Sequence, residues 1–216
     1  MRFKAVIFDL DGTLLDTLDD ITDAANGVLR DMGFPTHPSE AYKTFVGEGM
    51  VSLAKQALPE GRRDDETVAA WIPRVKEAFR KSWPTKTRPY DGIVELLDAL
   101  ASRGVRTAIL SNRPDDLTKL MAGSMLSRWK FSSIHGANDG NPSKPDPTVA
   151  LRIAKDLNLD PGECLFLGDS NVDMQAASAA GMHPVGALWG FRTKEELLAH
   201  GAKKLVAHPM ELLALL

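Results

Sequence analysis

The chain carries one cysteine, Cys164, among 216 residues. It cannot form an internal disulfide, and this sparse usage fits a reducing compartment. Cys164 precedes Leu165-Phe166-Leu167, a setting that favours a buried structural thiol over a nucleophile. No apolar stretch approaches the ~18 residues of a membrane span. The first residues run directly into a strand pattern, so no secretory signal is expected. There is no basic run and no arginine-rich helix, and the formal net charge is −3 with both signs interspersed. A nucleic-acid footprint is thereby excluded. Internal repeats and low-complexity tracts are also missing. The expectation is a soluble, cytoplasmic protein, one large domain or two small ones, burying roughly 70% of its unfolded surface.

What is present begins at once. Lys4-Ala5-Val6-Ile7-Phe8 has the β-branched and aromatic content of a core strand. It ends in Asp9-Leu10-Asp11-Gly12-Thr13-Leu14. Alternate residues of a strand share a face, so Asp9 and Asp11 leave on the same side. Gly12 permits the sharp turn that follows. Two like charges this close repel, which a chain tolerates with a cation between them or for chemistry. An ordinary Asx turn is the plain alternative. A calcium loop is not, because the third acid is missing and Leu14 and Leu15 occupy ligand positions.

The pattern then turns helical. Leu18, Ile21, Ala25, Val28, Leu29 and Met32 make one stripe, closed by Gly33. Short helices are expected over Ser39–Val46 and Met50–Leu58, and a longer one from Asp64, kinked or divided at Pro73. No strand is expected between Leu15 and Trp83, and residues 84–92 read as a linker. Strands and helices alternate from there. Strands are expected at Val105–Leu110, Phe131–Ile134, Glu163–Leu167, His183–Leu188 and Lys204–Val206. Helices are expected at Ile93–Arg103, Asp115–Met121, Pro147–Leu157 and Val172–Ala180, with a capping box at Thr193–Glu196 opening a further one. A last helix is expected over Met210–Leu215. The expected fold is α/β: a Rossmann-like, doubly wound, mostly parallel sheet with an all-helical cap inserted after the first strand. Residues 1–14 and 84–216 would form the core and 15–83 the cap.

Three further signals fall at strand ends: Ser111-Asn112, Lys144-Pro145, and Gly168-Asp169-Ser170-Asn171-Val172-Asp173. Each has an unremarkable reading, as a helix cap, a solvated loop lysine and an N-cap respectively. Their common placement, with Asp9 and Asp11, at the carboxyl ends of strands is where open α/β sheets put their sites.

In this order the motifs resemble the haloacid dehalogenase superfamily. Phe45-Val46-Gly47-Glu48-Gly49, Thr87-Arg88-Pro89-Tyr90-Asp91-Gly92 and Leu188-Trp189-Gly190-Phe191-Arg192-Thr193 resemble its phosphoglycolate-phosphatase-like branch. The resemblance implies that Asp9 is a nucleophile toward phosphorus. It implies that Asp11 is general acid and then base, with Asp9 and Asp169 as neighbours that favour its protonated form. Mg²⁺ would be held by Asp9, Asp11 (through its backbone carbonyl) and Asp169, with Asp173 acting through water or supporting Lys144. Ser111 and the Asn112 backbone N–H would hold phosphate oxygens, and Lys144 would offset the repulsion between Asp9 and phosphate.

The implied reaction is Mg²⁺-dependent hydrolysis of a small phosphate monoester. Asp11 itself argues for phosphoryl transfer, because the dehalogenating branch lacks an acid there. A sugar-phosphate mutase shares the motifs but resembles its kin in a histidine early in the insertion, and Asp16–Gly33 contains none. A phosphate-binding regulatory module is the non-enzymatic alternative. A dinucleotide site at Gly47-Glu48-Gly49 lacks the preceding strand it needs. Among substrates, 2-phosphoglycolate leads. The candidate specificity residues are Gly47, Glu48 and Gly49 in the insertion, and Arg113, where relatives often carry Lys. If Glu48 faced the leaving group it would repel a substrate carboxylate by about 1–4 kcal/mol; otherwise it points to solvent.

Overall fold

A computed structural model of the chain describes residues 3–216. The first strand, β1 (Ala5–Phe8), is fully buried. A two-residue strand, β2 (Leu15–Asp16), leads into four helices: α1 (Leu18–Asp31), α2 (Ser39–Phe45), α3 (Met50–Ala57) and α4 (Asp65–Ser82). The chain returns through β3 (Arg88–Pro89) and continues as α5 (Ile93–Ser102), β4 (Arg106–Pro114), α6 (Asp115–Met125) and β5 (Ser133–Ala137). It closes with α7 (Thr148–Asp156), β6 (Cys164–Gly168), α8 (Asn171–Ala179), β7 (His183–Ala187), α9 (Lys194–Ala199) and β8 (Lys204–Val206).

Six strands form one parallel sheet in the order β5-β4-β1-β6-β7-β8. The alternation of β1 feeds two cores. Val6 and Phe8 join the cluster that includes Ile93, Leu96 and Leu117, whereas Ala5 and Ile7 join Val149, Ile153 and Ala177 on the opposite face. Both faces are thus covered, as a parallel sheet requires. Strand order reverses at β1, with β4 on one side and β6 on the other. That switch point opens a crevice beyond the carboxyl end of β1, and the four helices between Leu18 and Ser82 stand over it.

Several expectations are corrected. Leu15–Asp16 and Arg88–Pro89 pair antiparallel as β2 and β3, so the two crossings between sheet and helices lie side by side. A two-residue run carries no detectable periodicity. Asp20, buried in the first turn of α1, accepts the Thr87 N–H at 2.8 Å, the Thr87 hydroxyl at 2.7 Å and the Lys86 N–H at 3.1 Å. Burial alone would raise its pKa, but these hydrogen bonds outweigh it and hold the carboxyl below its usual range.

Helix α4 is not divided: it runs unbroken through Pro73. An interior proline costs about 3 kcal/mol. Val68, Trp71, Val75 and Phe79 on either side bury one continuous stripe, worth about 1.5–3 kcal/mol per side chain. Strand β4 extends through Ser111, Asn112 and Arg113, with a register shift after Leu110. Half of the Thr193 capping box forms. Its hydroxyl accepts the Glu196 N–H at 3.3 Å, but the Glu196 carboxylate pairs with Arg192 instead. The final segment, Pro209–Ala214, is a 3₁₀ helix, not an α-helix.

Candidate active site

Asp9 is the first residue past β1, tied to β6 by its N–H on Leu167 O at 2.9 Å. Its Oδ1 accepts from Lys144 Nζ at 2.6 Å. The same ammonium donates to Asp173 Oδ1 at 2.6 Å and to Leu110 O at 3.0 Å. All three donors of a fully buried lysine are therefore used. The loop carrying Lys144 is clamped by the Asn112 side chain. Asn112 Oδ1 accepts the Lys144 N–H at 2.7 Å, while Nδ2 donates to Lys144 O at 2.9 Å and to Gly47 O at 3.0 Å. Asn112 thus joins the lysine loop to the segment between α2 and α3. Ser111 Oγ accepts the Arg113 N–H at 3.1 Å and lines the cavity beside Asp9.

Asp169 and Asp173 follow β6. Asp169 Oδ1 accepts the Thr13 hydroxyl at 2.9 Å, and Oδ2 accepts the Phe191 N–H at 2.8 Å. Asp173 closes a capping box with Ser170, which is why α8 starts here. Each of Asp9, Asp169 and Asp173 offers a carboxylate oxygen, and these atoms lie within 4.8 Å of one another. Gly12 makes the crowding possible: its φ is +87°, and a Cβ there would sit 2.3 Å from Asp169 Oδ2.

One ammonium faces three buried carboxylates. Burial pushes the Asp9 pKa well up, the charges of Asp173 and Asp169 add to this, and Lys144 opposes it through its charge and its hydrogen bond. Burial, then Asp173, raises Asp169 to about 7 against the opposing hydrogen bonds from Phe191 and Thr13. For Lys144 burial works downward, but Asp173 and Asp9 prevail and hold its proton firmly. An all-oxygen donor set with excess negative charge suits a hard divalent cation.

Asp11 stands apart from this cluster. Its oxygens accept from Arg113 Nε at 2.9 Å and Nη2 at 2.8 Å, so its charged partner is a guanidinium, which the sequence does not reveal. The guanidinium also lies 4.3 Å from the ring centroid of Phe79 on α4. Arg113 thereby links sheet and helices, a contact between residues too far apart in sequence to be read locally.

A narrow cavity of about 60 Å³ opens over Asp9 and Asp11, room for only a few waters. Gly47, Gly49 and Met50 contribute to its wall, with Val75, Lys76 and Phe79 from α4. Glu48 does not line it. Its side chain is turned outward, accepting from Asn171 Nδ2 at 3.2 Å and from Ser52 Oγ at 3.1 Å. Thr13 and Arg192 lie within the first and last motifs, and the sequence assigns neither a role. The signal was a buried-looking polar residue inside a matched block, and the partner was not readable.

The family model for haloacid dehalogenase-like hydrolases matches residues 6–187. A phosphoglycolate phosphatase of Nitrosospira multiformis is 34% identical over 197 residues, covering 88% of this chain and 86% of that one. A phosphoglycolate phosphatase of Xanthomonas campestris is 31% identical over 214 residues, covering 98% and 96%. A crystal structure from Lactobacillus delbrueckii superposes with a TM-score of 0.90 at 29% identity, covering 98% and 97%. One from Haemophilus somnus reaches 0.91 at 24% identity over 100% and 98%, which speaks to the fold alone. With the family match spanning residues 6–187, most of the chain, the protein belongs to the haloacid dehalogenase-like hydrolases.

Proposed function

We propose that the protein hydrolyses a small phosphate monoester through an aspartyl-phosphate on Asp9. The observation that carries this reading is the Lys144 ammonium held between Asp9 and Asp173 beside Asp169, at the sheet's switch point. Asp9 attacks phosphorus along the axis of the scissile bond, and the ester oxygen departs with a proton from Asp11. Water then attacks the acyl phosphate, Asp11 takes its proton, and phosphate leaves. Lys144 keeps Asp9 aimed and lessens its repulsion of the incoming dianion. The Ser111 hydroxyl and the Asn112 N–H receive phosphoryl oxygens. The carboxylates of Asp9 and Asp169 and the Asp11 carbonyl would hold Mg²⁺, which would supply positive charge to offset that of the phosphate.

As found, Asp11 accepts two hydrogen bonds from Arg113. To donate to the leaving oxygen it must first leave that fork. Phosphate monoesters need up to ~10²¹-fold acceleration, and a single oriented donor supplies only about 3–4 kcal/mol, so these groups have to act in concert.

Residues 15–83 act as the cap, closing the cavity during attack and opening for exchange. The cavity's small size suits a compact leaving group. With the relatives' names, this favours 2-phosphoglycolate. The absence of histidine from Asp16–Gly33 weighs against a mutase. Burial pushes the Cys164 thiol up to about 11, which makes it an unreactive structural cysteine, and among the described residues no helix is long and apolar enough to cross a membrane. The test is kcat/KM across a panel of phosphate esters with and without Mg²⁺. The reading expects metal-dependent turnover with 2-phosphoglycolate foremost. Turnover of 2-phosphoglycolate no better than of an aryl phosphate would displace it.

A further inference from the structure

Arg192 lies in the loop between β7 and α9, yet its guanidinium is spent on the helical segment across the crevice. Nη1 donates to Lys43 O, and Nη2 donates to Thr44 O at 3.2 Å and Val46 O at 2.8 Å. Lys43 and Thr44 belong to the last turn of α2, and Val46 is its C-cap. These carbonyls have no partner within the helix and carry the negative end of its dipole. A cationic fork satisfies both needs with charge-assisted hydrogen bonds. The remaining donor, Nε, meets Glu196 Oε1 at 3.2 Å, which fixes the side chain from behind. Arg192 is 8% exposed, so these bonds are shielded from water.

Two connections give this contact a consequence. Val46, Gly47 and Gly49 follow directly from the gripped turn and line the cavity over Asp9. On the other side, the neighbouring Phe191 N–H holds Asp169 Oδ2. One short loop therefore touches both the buried acid cluster and the wall that faces the leaving group.

We propose that Arg192 is a positioning residue. It latches the C-terminal end of α2 to the core, and so sets the position of the 46–49 loop over Asp9. The proposal rests on residues 15–83 acting as a closing cap, but on no particular substrate. In the open form the latch is released and α2's carbonyls turn to water. In the closed form the guanidinium replaces that water, and Asp9 and the loop come into register.

The test uses Arg192→Met, which keeps a long unbranched stem and removes every donor, and Arg192→Lys, which keeps charge without the fork. Turnover of p-nitrophenyl phosphate with Mg²⁺ is read together with amide hydrogen exchange. For Arg192→Met, kcat/KM should fall by about 10–100-fold, the scale of a misplaced active-site wall. Exchange at residues 43–49 should rise about tenfold or more, the equivalent of one lost charge-assisted bond, with β1 and β6 unchanged. Arg192→Lys should fall between the two, and carries the test by the same readouts if Arg192→Met does not fold. Wild-type turnover in these variants would overturn the proposal. So would reduced turnover with wild-type exchange at 43–49, since Arg192 would then act elsewhere. Raised exchange at 43–49 in a protein that hydrolyses no ester would uphold the latch and count against the phosphatase reading alone.

Discussion

Arg113 holds Asp11 by both oxygens, at 2.9 and 2.8 Å, while its guanidinium lies over the ring of Phe79 at 4.3 Å. The proposed acid of the reaction is thus oriented by a residue that also senses helix α4. Asp11→Asn is expected to lower kcat by about 10²–10⁴-fold on alkyl phosphates. The loss should be smaller on p-nitrophenyl phosphate, whose leaving group needs no proton. Arg113→Met should not reproduce this bias, because Asp11 has left the Arg113 fork by the time it donates its proton. Equal losses on both substrates would remove proton donation from Asp11.

Asp9→Asn should leave the fold intact and reduce turnover below detection. The amide is nearly isosteric, and Lys144 retains Asp173 and Leu110 O as acceptors. Circular dichroism and thermal melting check the fold, and rapid-quench trapping of phosphoprotein checks the intermediate in the wild type. A folded Asp9→Asn protein with substantial turnover would refute covalent catalysis at this position.

If Asp169 is a metal ligand as proposed, metal binding and pH should be coupled through it. Its pKa is pushed up to about 7 in the folded protein by burial and by Asp173, against about 4 in an unfolded chain. A raised carboxyl pKa stabilises the fold fully below the unfolded value, and that contribution is lost as pH rises through the folded one. Metal-free protein should therefore lose this share of stability between about pH 4 and pH 7. A bound cation must displace the proton. The rise in melting temperature on adding Mg²⁺ should thus be larger at pH 8 than at pH 5.5, and absent in Asp169→Asn. The reverse order would argue against Asp169 as a ligand.

Lys144→Met strips the counter-charge from Asp9 and Asp173. Removing one member of a buried pair costs about 3–5 kcal/mol. Urea unfolding of metal-free protein should show a loss of that order at pH 8, shrinking toward pH 5 as Asp9, whose pKa burial raises, takes up a proton. A loss independent of pH would indicate packing, not charge.

Glu48→Asn should leave the ratio of kcat/KM for 2-phosphoglycolate over a neutral ester unchanged. Glu48 faces Asn171 and Ser52, and exposed polar pairs contribute at most about 1 kcal/mol. A rise in that ratio beyond fivefold, on the order of that same energy, would place Glu48 at the leaving group after all.

Much of this protein follows from residue order alone. The run Ala5–Phe8 reads as a buried strand, because it is short, uninterrupted by polar residues and rich in β-branched and aromatic side chains. Apolar spacing marked α1, α2 and α3 to within a residue or two, since helical burial repeats every 3.6 residues. The carboxyl ends of β1 and β6 place Asp9 and Asp169 without further information. These are local matters of backbone period and side-chain direction. Tertiary structure decided the rest. The continuity of α4 through Pro73 depended on what Trp71 and Phe79 had to pack against. The pairing of β2 with β3 depended on the chain returning beside itself. Arg113 meets Asp11 across 102 residues, and Arg192 meets Val46 across 146. Glu48 faces Asn171 across 123. No periodicity encodes such partners. Long polar side chains reach in many directions, and only the packing of whole elements determines which carbonyl or carboxylate lies within hydrogen-bonding distance.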